Sequence, residues 1–226
     1  MYNEVPNTDP PPPQTRLRRF MSVAKLVDLL ANRWLYCAPM PSLDDRFEGM
    51  YPASWPEHPH KALLDQVFRE QTRINCWHEE TVESDALWRI YGSKDEVVAV
   101  RTEAGSLRDA VDAVPDLIAI SRVHYIDYDT YDQPPGVPFY PFVYKRDCFR
   151  HEAEVRVIIQ PPVAPGDLLS GNPPPPLGAF LLPIRAEEVI HGVIVSPYAQ
   201  EWFLASIRAL TSALGLRCPV EFSSLR

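Results

Sequence analysis

The chain has 226 residues, of which 46% are hydrophobic and 11% aromatic, and its formal net charge is −8. This composition indicates a globular protein with a sizeable core, and the negative charge argues against a protein that binds nucleic acid over its whole surface. The four cysteines lack the spacing of a zinc site or a disulfide framework, and no apolar run is long enough to span a bilayer, so we expect a cytoplasmic protein with reduced thiols.

The predicted elements follow a proline-rich tail at residues 1–14, which has little to bury and is expected to be disordered. From residue 15 to residue 226 the pattern predicts a single α+β domain with a mixed or antiparallel sheet flanked by helices. The predicted helices span about residues 22–32, 60–71, 83–91, 106–114 and 199–214, and the predicted strands span 33–38, 73–77, 96–101, 123–128, 149–159, 189–195 and 219–222. Residues 161–178 hold two proline clusters and are predicted to form a projecting loop.

Two glutamates stand close together in the predicted strand FRHEAEVRVII, residues 149–159. Because side chains alternate across a strand, Glu152 and Glu154 would project to the same face, roughly 7 Å apart. Paired carboxylates on a rigid element suit glycosidic or phosphoryl chemistry. The same pattern is also typical of a solvated edge strand in which Arg156 pairs with Glu154.

Four fragments occur in a fixed order: SLDDRFEG (42–49), INCWHEETVESDALWRIYG (74–92), VVAVRT (97–102) and YKRDCFRHEAEVRVII (144–159). Together they resemble the bacterial family catalogued as domain of unknown function 2971, and the later segment EEVIHGVIVSPYAQEWF is similar to its C-terminal strand and helix. The resemblance covers most of residues 15–225. Asp45-Arg46 and Leu87 depart from the residues usual in the family, which has no established function.

The motif order is also similar to that of R-S-E ADP-ribosyltransferases, in which a strand with an arginine, a Ser-Thr-Ser strand and a Glu-x-Glu strand follow one another. This resemblance implies an ADP-ribosyltransferase-like fold with NAD as the substrate. Cleavage of the nicotinamide–ribose bond develops oxocarbenium charge on the sugar. Glu154 would stabilise that charge, Glu152 would orient or deprotonate the acceptor, and His78 is a third catalytic candidate.

The resemblance places the cofactor-binding candidates on the strands and helix that precede the glutamates. Arg19 or Arg18 would hold the pyrophosphate, and Trp77 or Tyr91 would stack on a ring of the dinucleotide. Cys76, Trp77 and His78 would occupy the middle strand. Cys-Trp-His is not Ser-Thr-Ser, however, so the hydroxyl that would orient the glutamate is missing at Trp77.

Each candidate residue also has a structural interpretation. Arg18 and Arg19 could belong to a solvated basic cluster with Arg16, and His78 could make a structural hydrogen bond. Cys76 is more typical of a buried thiol than of a nucleophile. Tyr91 lies three residues after Trp88 on a predicted helix, a spacing typical of core residues.

Three functions remain open from the sequence. The first is an NAD-consuming ADP-ribosyltransferase-like enzyme, a toxin or a phage-defence effector, which takes a nucleotide substrate, has a protein or a nucleic acid as acceptor and does not act at a membrane. The second is a metal-dependent phosphodiesterase or nuclease built from Asp44, Asp45, Glu48 and the glutamate pair. The third is a non-catalytic binding or sensor domain, which predicts that both glutamates are exposed to solvent. No metal site is expected for the favoured first function.

Overall fold

A computed structural model describes residues 8–50, 61–80, 82–93, 95–112, 114–131, 140–161 and 174–226. The chain divides into two units that each draw on three stretches of sequence. The first unit comprises Met1–Pro11, Tyr36–Cys76 and Ala113–Phe180, and the second comprises Pro12–Leu35, Trp77–Asp112 and Leu181–Arg226. Each unit has its own hydrophobic cluster, around Phe142 and Ile158 in the first unit and around Phe20 and Trp88 in the second.

The helices and strands confirm the predicted class, α+β with a mixed sheet flanked by helices. Helices α1–α6 span Val23–Asn32, Lys61–Gln71, Asp85–Ile90, Ala104–Val111, Ala186–Val189 and Glu201–Ala213. Strands β1–β11 span Arg16–Ser22, Trp34–Pro39, Arg73–Glu79, Val97–Glu103, Leu117–Arg122, His124–Ile126, Tyr144–Arg146, Glu154–Gln160, Phe180–Pro183, Gly192–Val195 and Val220–Phe222. Short 3₁₀ helices span Met40–Ser42, Tyr140–Phe142 and Asp147–Glu152. The predicted boundaries of the tail and of a single domain stay predictions.

Strand β1 is central to the sheet of the second unit. It pairs antiparallel with β4 along its whole length, and Arg18 pairs with His78 at the end of β3. Strand β4 pairs antiparallel with β10, which pairs in parallel with β11. The apolar runs VVAV in β4 and GVIV in β10 are buried, as expected for strands that are covered on both faces.

Helix α1 follows β1 directly, and its ends show why the chain turns there. The Ser22 hydroxyl accepts a hydrogen bond from the Lys25 backbone N–H at 3.4 Å and so caps the helix N-terminus. Leu26, Leu29 and Leu30 are buried on one face of the helix. Arg33 ends the helix in the left-handed conformation, with φ of 58°, so β2 begins immediately afterwards.

Strand β8 carries the glutamate motif in the first unit, where it lies between β5 and β3. It pairs antiparallel with β5 from Leu117–Gln160 to Arg122–Val155, and all seven of its residues are buried. Strands β6 and β7 form a separate parallel pair that places Ile126 opposite Arg146. The sequence did not predict β5 or β7, and it merged β6 with the residues around it into one strand at 123–128.

The predicted strand 149–159 is wrong at its N-terminal end. Residues Asp147–Glu152 form a 3₁₀ helix, Ala153 takes the left-handed conformation with φ of 39°, and the strand begins only at Glu154. This polar stretch lacks the β-branched residues that favour a strand, so the alternation of charges was misleading. Glu152 and Glu154 therefore do not project from one strand face, and Glu154 does not lie on a solvated edge.

The tail and the proline-rich loop make hydrogen bonds where the structure describes them. The Asp9 N–H donates to the Ser121 hydroxyl, and the Gly105 N–H donates to the Pro13 carbonyl. In the loop predicted at 161–178, residues 162–173 lie outside the described residues. Beyond them, the Pro175 carbonyl accepts a hydrogen bond from the Gln71 side chain. Among the described residues, no helix is long and apolar enough to cross a bilayer.

Candidate functional site

A buried cluster of charged side chains in the first unit brings the two glutamates together. The Lys145 ammonium, on β7, lies 2.5 Å from the Glu152 carboxylate and 3.2 Å from the Glu154 carboxylate. The left-handed Ala153 separates the two glutamates and turns the chain from the 3₁₀ helix into β8. Two carboxylates thus meet at one cation, although only one of them lies in a strand.

Arg156 links this cluster to the acidic turn SLDDRFEG. Its guanidinium is fully buried and donates to Glu154 through Nε at 2.8 Å and through Nη2 at 3.1 Å. Nη2 also donates to Glu48 at 2.6 Å, and Nη1 donates to the Phe142 carbonyl at 2.9 Å. A buried guanidinium needs such partners because an uncompensated charge in the interior is costly.

The environment affects the two glutamates in opposite directions. Burial alone would raise the pKa of Glu154, but Arg156 and Lys145 outweigh it and lower that pKa to about 2. The pKa of Glu152 is raised, chiefly by burial and further by the charge of Glu154, and Lys145 offsets these effects only in part. Glu154 is 5% exposed, whereas the Glu152 side chain is 19% exposed. Two neighbouring carboxylates with divergent pKa values are typical of a site that separates charge stabilisation from proton transfer.

Cys76 and Tyr125 contact Glu154 from two other strands. The Cys76 thiol hydrogen-bonds the Glu154 carboxylate, and burial together with that negative charge raises its pKa well above the usual range. The thiol therefore stays protonated and acts as a donor. The Tyr125 hydroxyl accepts the Glu154 backbone N–H at 2.8 Å, and burial raises the pKa of Tyr125.

Aromatic rings and cations surround this cluster. The Lys145 ammonium lies 4.8 Å from the centre of the Phe149 ring, and the Arg146 guanidinium lies 4.8 Å from the centre of the Phe47 ring. Arg146 also pairs with the buried Asp45 at 3.0 Å. Each of these cations therefore contacts both a carboxylate and an aromatic ring.

The acidic residues proposed for metal binding have cations as neighbours. Asp45 pairs with Arg146, and Glu48 pairs with Arg156 and Lys145, whereas Asp44 is exposed. Within the parts of the chain that the structure describes, no group of three or more histidines, cysteines, aspartates or glutamates could hold a metal ion.

The arginines predicted to hold a pyrophosphate lie on β1 in the second unit. Arg18 is buried, and its guanidinium lies 2.5 Å from Glu80 and 2.8 Å from Glu83. Arg19, the next residue along the strand, projects to the opposite face because side chains alternate. Arg18 lines a cleft of about 460 Å³ together with Arg16, Glu80, Glu83, Arg101, Ile194, Glu221, Phe222 and Ser224.

The aromatic candidates of the second unit differ in accessibility. Trp77 is 2% exposed, so its ring faces are covered, whereas Tyr91 is 43% exposed. The Tyr91 ring stacks on Phe20 with 5.7 Å between ring centres, and the His78 ring lies edge-on to Phe20 at 6.2 Å. Tyr91 is therefore the aromatic candidate with a surface that a ligand can reach.

The structure groups the predicted site residues by unit. It brings Glu152, Glu154 and Cys76 together in the first unit, while Arg18, Arg19, Trp77, His78 and Tyr91 belong to the second. Sequence reasoning missed the participation of Lys145 and Tyr125. It named Glu48 beside the glutamate pair as a candidate metal ligand and not as a partner of Arg156 and Lys145, and it treated Arg156 only as a surface partner of Glu154. One signal was present: an arginine within the apolar run VRVII needs a buried acidic partner.

Comparisons with known proteins identify no family. No family model matches the chain, and no curated protein matches it. The resemblance to the domain-of-unknown-function family is therefore not confirmed.

Three solved structures of Thermus sp. 2.9 DarT are similar over most of the chain. The complex with NAD+ is 11% identical and has a TM-score of 0.44, with 93% of this chain and 96% of that chain covered. The complex with ADP-ribosylated ssDNA is 11% identical with a TM-score of 0.42, covering 95% of this chain and 96% of that one. The complex with carba-NAD+ is 13% identical with a TM-score of 0.42, covering 94% and 97%. These scores are too low to assign a shared fold, so the proposed function rests on the residues of this chain.

Proposed function

We propose that the chain is an ADP-ribosyltransferase-like enzyme that transfers ADP-ribose from NAD to an acceptor. The observation that carries this proposal is the meeting of Glu152 and Glu154 at Lys145, with the pKa of Glu154 lowered and that of Glu152 raised. Glycosyl transfer needs one carboxylate that stays ionised and one that exchanges a proton, and this pair offers both.

The proposed reaction breaks the bond between the nicotinamide nitrogen and C1′ of the ribose. The bonding electron pair leaves with nicotinamide, and positive charge develops on the sugar. Glu154 supplies a negative charge that is present throughout the physiological pH range because its pKa is about 2. With Glu48, Glu152 and Glu154 ionised, three carboxylates face the cations of Lys145 and Arg156, so the cluster keeps net negative charge and favours a cationic sugar.

Glu152 is the proposed proton acceptor. It is the more exposed of the two glutamates, and its raised pKa brings it nearer to the range in which general bases work. The acceptor's oxygen or nitrogen forms a bond to C1′, and its proton moves to the Glu152 carboxylate. Nicotinamide, ADP-ribosylated acceptor and one proton are the products, so charge and atoms balance.

Of the remaining candidates, Cys76 receives a proposed role that follows its placement. Cys76, through its S–H donor to Glu154, would orient that carboxylate in place of a hydroxyl. The candidates Arg18, Arg19, Trp77, His78 and Tyr91 belong to the second unit, and their roles in NAD binding or catalysis stay predictions. A role as a toxin or phage-defence effector stays a prediction.

The two other functions gain less support from the geometry. A non-catalytic domain predicted two exposed glutamates, yet Glu154 is buried. A metal-dependent phosphodiesterase would need the Glu48 and Glu154 carboxylates to exchange Arg156 and Lys145 for a metal.

The test is transfer of label from NAD by the purified chain, with separate protein, DNA and RNA acceptors. Glu154→Gln and Glu152→Gln keep the shape of each side chain and remove its charge, and Glu188→Gln, at an exposed surface pair with Arg185, is the matched control. We expect the wild type and the control to consume NAD and label one acceptor class, and both site variants to lose transfer. Absence of NAD consumption with every acceptor would overturn the proposal.

A further inference from the structure

Lys145 contacts three carboxylates, whereas a simple surface ion pair involves only one. Its ammonium lies 3.1 Å from Glu48, 2.5 Å from Glu152 and 3.2 Å from Glu154, and its side chain is 10% exposed. The Phe149 ring covers it at 4.8 Å. Four neighbours, from the acidic turn, the 3₁₀ helix and β8, thus fix the position of one ammonium.

Glu48 is a third carboxylate that contacts Lys145, at 3.1 Å. Its second carboxylate oxygen accepts from Arg156 at 2.6 Å, so Glu48 is itself held in place. Two ionised carboxylates that contact the same ammonium, as those of Glu152 and Glu154 do, repel each other unless that cation is present. Lys145 is the cation that both of them contact.

We propose that Lys145 is a positioning residue for the transfer reaction, because its ammonium contacts the Glu152 and Glu154 carboxylates and holds them together. Glu48 is the group that holds Lys145. This inference rests on the proposed function for its catalytic meaning, but the contact between Lys145 and Glu152 can be tested without any turnover.

The charged groups that face Glu152 determine whether its pKa should rise or fall when Lys145 is removed. Lys145 from β7 and the neighbouring His151 lower the pKa of Glu152, whereas burial and Glu154 from β8 raise it; the Tyr125 hydroxyl on β6 is also nearby. When Lys145 is removed, His151 is the group that still lowers the pKa of Glu152. The pKa of Glu152 should then rise, by about one pH unit or more, as is typical when a close opposite charge is lost.

The first measurement uses the wild-type protein, so it does not depend on the folding of a variant. The ¹³C shift of the Glu152 carboxyl and the ¹⁵N shift of the Lys145 ammonium are followed by NMR across pH. We expect the Lys145 signal to move with the same midpoint as the Glu152 signal. A Lys145 signal that does not respond to Glu152 titration would overturn the proposal.

The second measurement uses the double variant Lys145→Met/Glu48→Gln, which removes one cation and one anion and so preserves the charge balance. We expect the midpoint of the Glu152 titration to move to higher pH by about one pH unit or more. The acidic limb of the dependence of kcat on pH should move with it. Lys25→Met, at an exposed position on α1, is the control and should leave both unchanged. An unshifted Glu152 titration in the folded double variant contradicts the role of Lys145.

Lys145→Arg separates charge from position. Arginine keeps the positive charge but spreads it over a planar group, so the acidic limb should stay within about half a pH unit of wild type. Because the carboxylates would be displaced, kcat should fall about ten- to a hundredfold with the KM for NAD unchanged. A wild-type kcat in this variant overturns the positioning role. If the wild type itself does not consume NAD, the proposed function fails, while the two NMR titrations still decide whether Lys145 holds Glu152.

Discussion

The Arg156 guanidinium donates to the Glu48 carboxylate at 2.6 Å across 108 residues of sequence, and both side chains are buried. This contact joins the acidic turn SLDDRFEG to the strand that carries Glu154. Because Arg156 also donates to Glu154, one guanidinium fixes two carboxylates of the candidate site.

Replacement of Arg156 by methionine should destabilise the protein strongly. The change leaves Glu48 and Glu154 buried without their main cation, and removal of one partner of a buried pair costs about 3–5 kcal/mol. Urea denaturation followed by circular dichroism measures the free energy of unfolding. Arg150→Met, at an exposed pair with Asp147, is the matched control, with an expected loss of no more than about 0.5 kcal/mol. Equal losses of unfolding free energy in the two variants would show that the buried contacts of Arg156 stabilise the protein no more than an exposed ion pair does.

Protonation of Glu154 should weaken the fold as the pH falls. Its pKa is about 2 in the folded chain and near 4.5 when unperturbed, so the unfolded chain binds a proton first. The stability that Glu154 contributes is therefore present above about pH 4.5 and is lost as the pH falls toward 2; its size is on the order of 3 kcal/mol.

The matching measurement compares wild type with Glu154→Gln by urea denaturation at pH 7, 5 and 3. Wild type should lose more stability between pH 5 and pH 3 than the variant, which lacks this titration. The raised pKa of Glu152 acts in the opposite sense, because a group that binds protons more tightly when folded gains stability as the pH falls. If the unfolding free energies of the two proteins changed by the same amount between pH 5 and pH 3, the lowered pKa of Glu154 would be contradicted.

Cys76 should react far more slowly with thiol reagents than Cys148. Thiolate is the reactive form, and burial with Glu154 nearby raises the pKa of Cys76, while Cys148 is exposed. Mass spectrometry after brief treatment of the native protein with iodoacetamide would locate the modified residues. In urea both thiols should react at similar rates. Modification of native Cys76 as fast as Cys148 would contradict its contact with Glu154.

Gly49 should be intolerant of substitution because it shapes the turn that presents Glu48. Its φ is +74°, and an added Cβ would lie 3.1 Å from Phe142 and 3.3 Å from Met40. Gly49→Ala should therefore cost about 1 kcal/mol or more in unfolding free energy. Gly178→Ala, where no atom lies within 4 Å of the added Cβ, is the control and should have little effect. If Gly49→Ala were as stable as Gly178→Ala, the turn at Gly49 would have room for a side chain, which would contradict the prediction.

Local pattern was enough to predict much of the fold. The capped helix that follows Ser22 and the helix at the C-terminal end have periodic burial, and the apolar residues of β8 form a short run; a sequence displays both patterns. The predicted start of the strand at residue 149 was wrong because the chain turns at Ala153. Nothing in FRHEAEV distinguishes a left-handed Ala153 from a strand residue. The sequence also failed for β5, whose polar Ser121 and Arg122 concealed a buried pairing with β8.

The candidate site was predictable only in part. Glu152 and Glu154 attract notice as a motif, and Lys145 lies only seven residues from Glu152. Arg156, which lowers the pKa of Glu154, is buried with Glu48, and their contact spans more than a hundred residues, so local reasoning does not detect it. The same distance explains why Arg156 could be taken for a surface partner of Glu154.

Release of nicotinamide from NAD by wild type and by Glu154→Gln tests directly whether Glu154 stabilises the charge that develops on the ribose. The reaction is followed by chromatography at saturating NAD, and circular dichroism confirms that the variant is folded. We predict that wild type releases nicotinamide and that the variant is slower by about a hundredfold or more, because loss of one preorganised charge at a developing transition state has that effect. Equal rates in the two proteins, or no release by wild type with any acceptor class, would contradict the account.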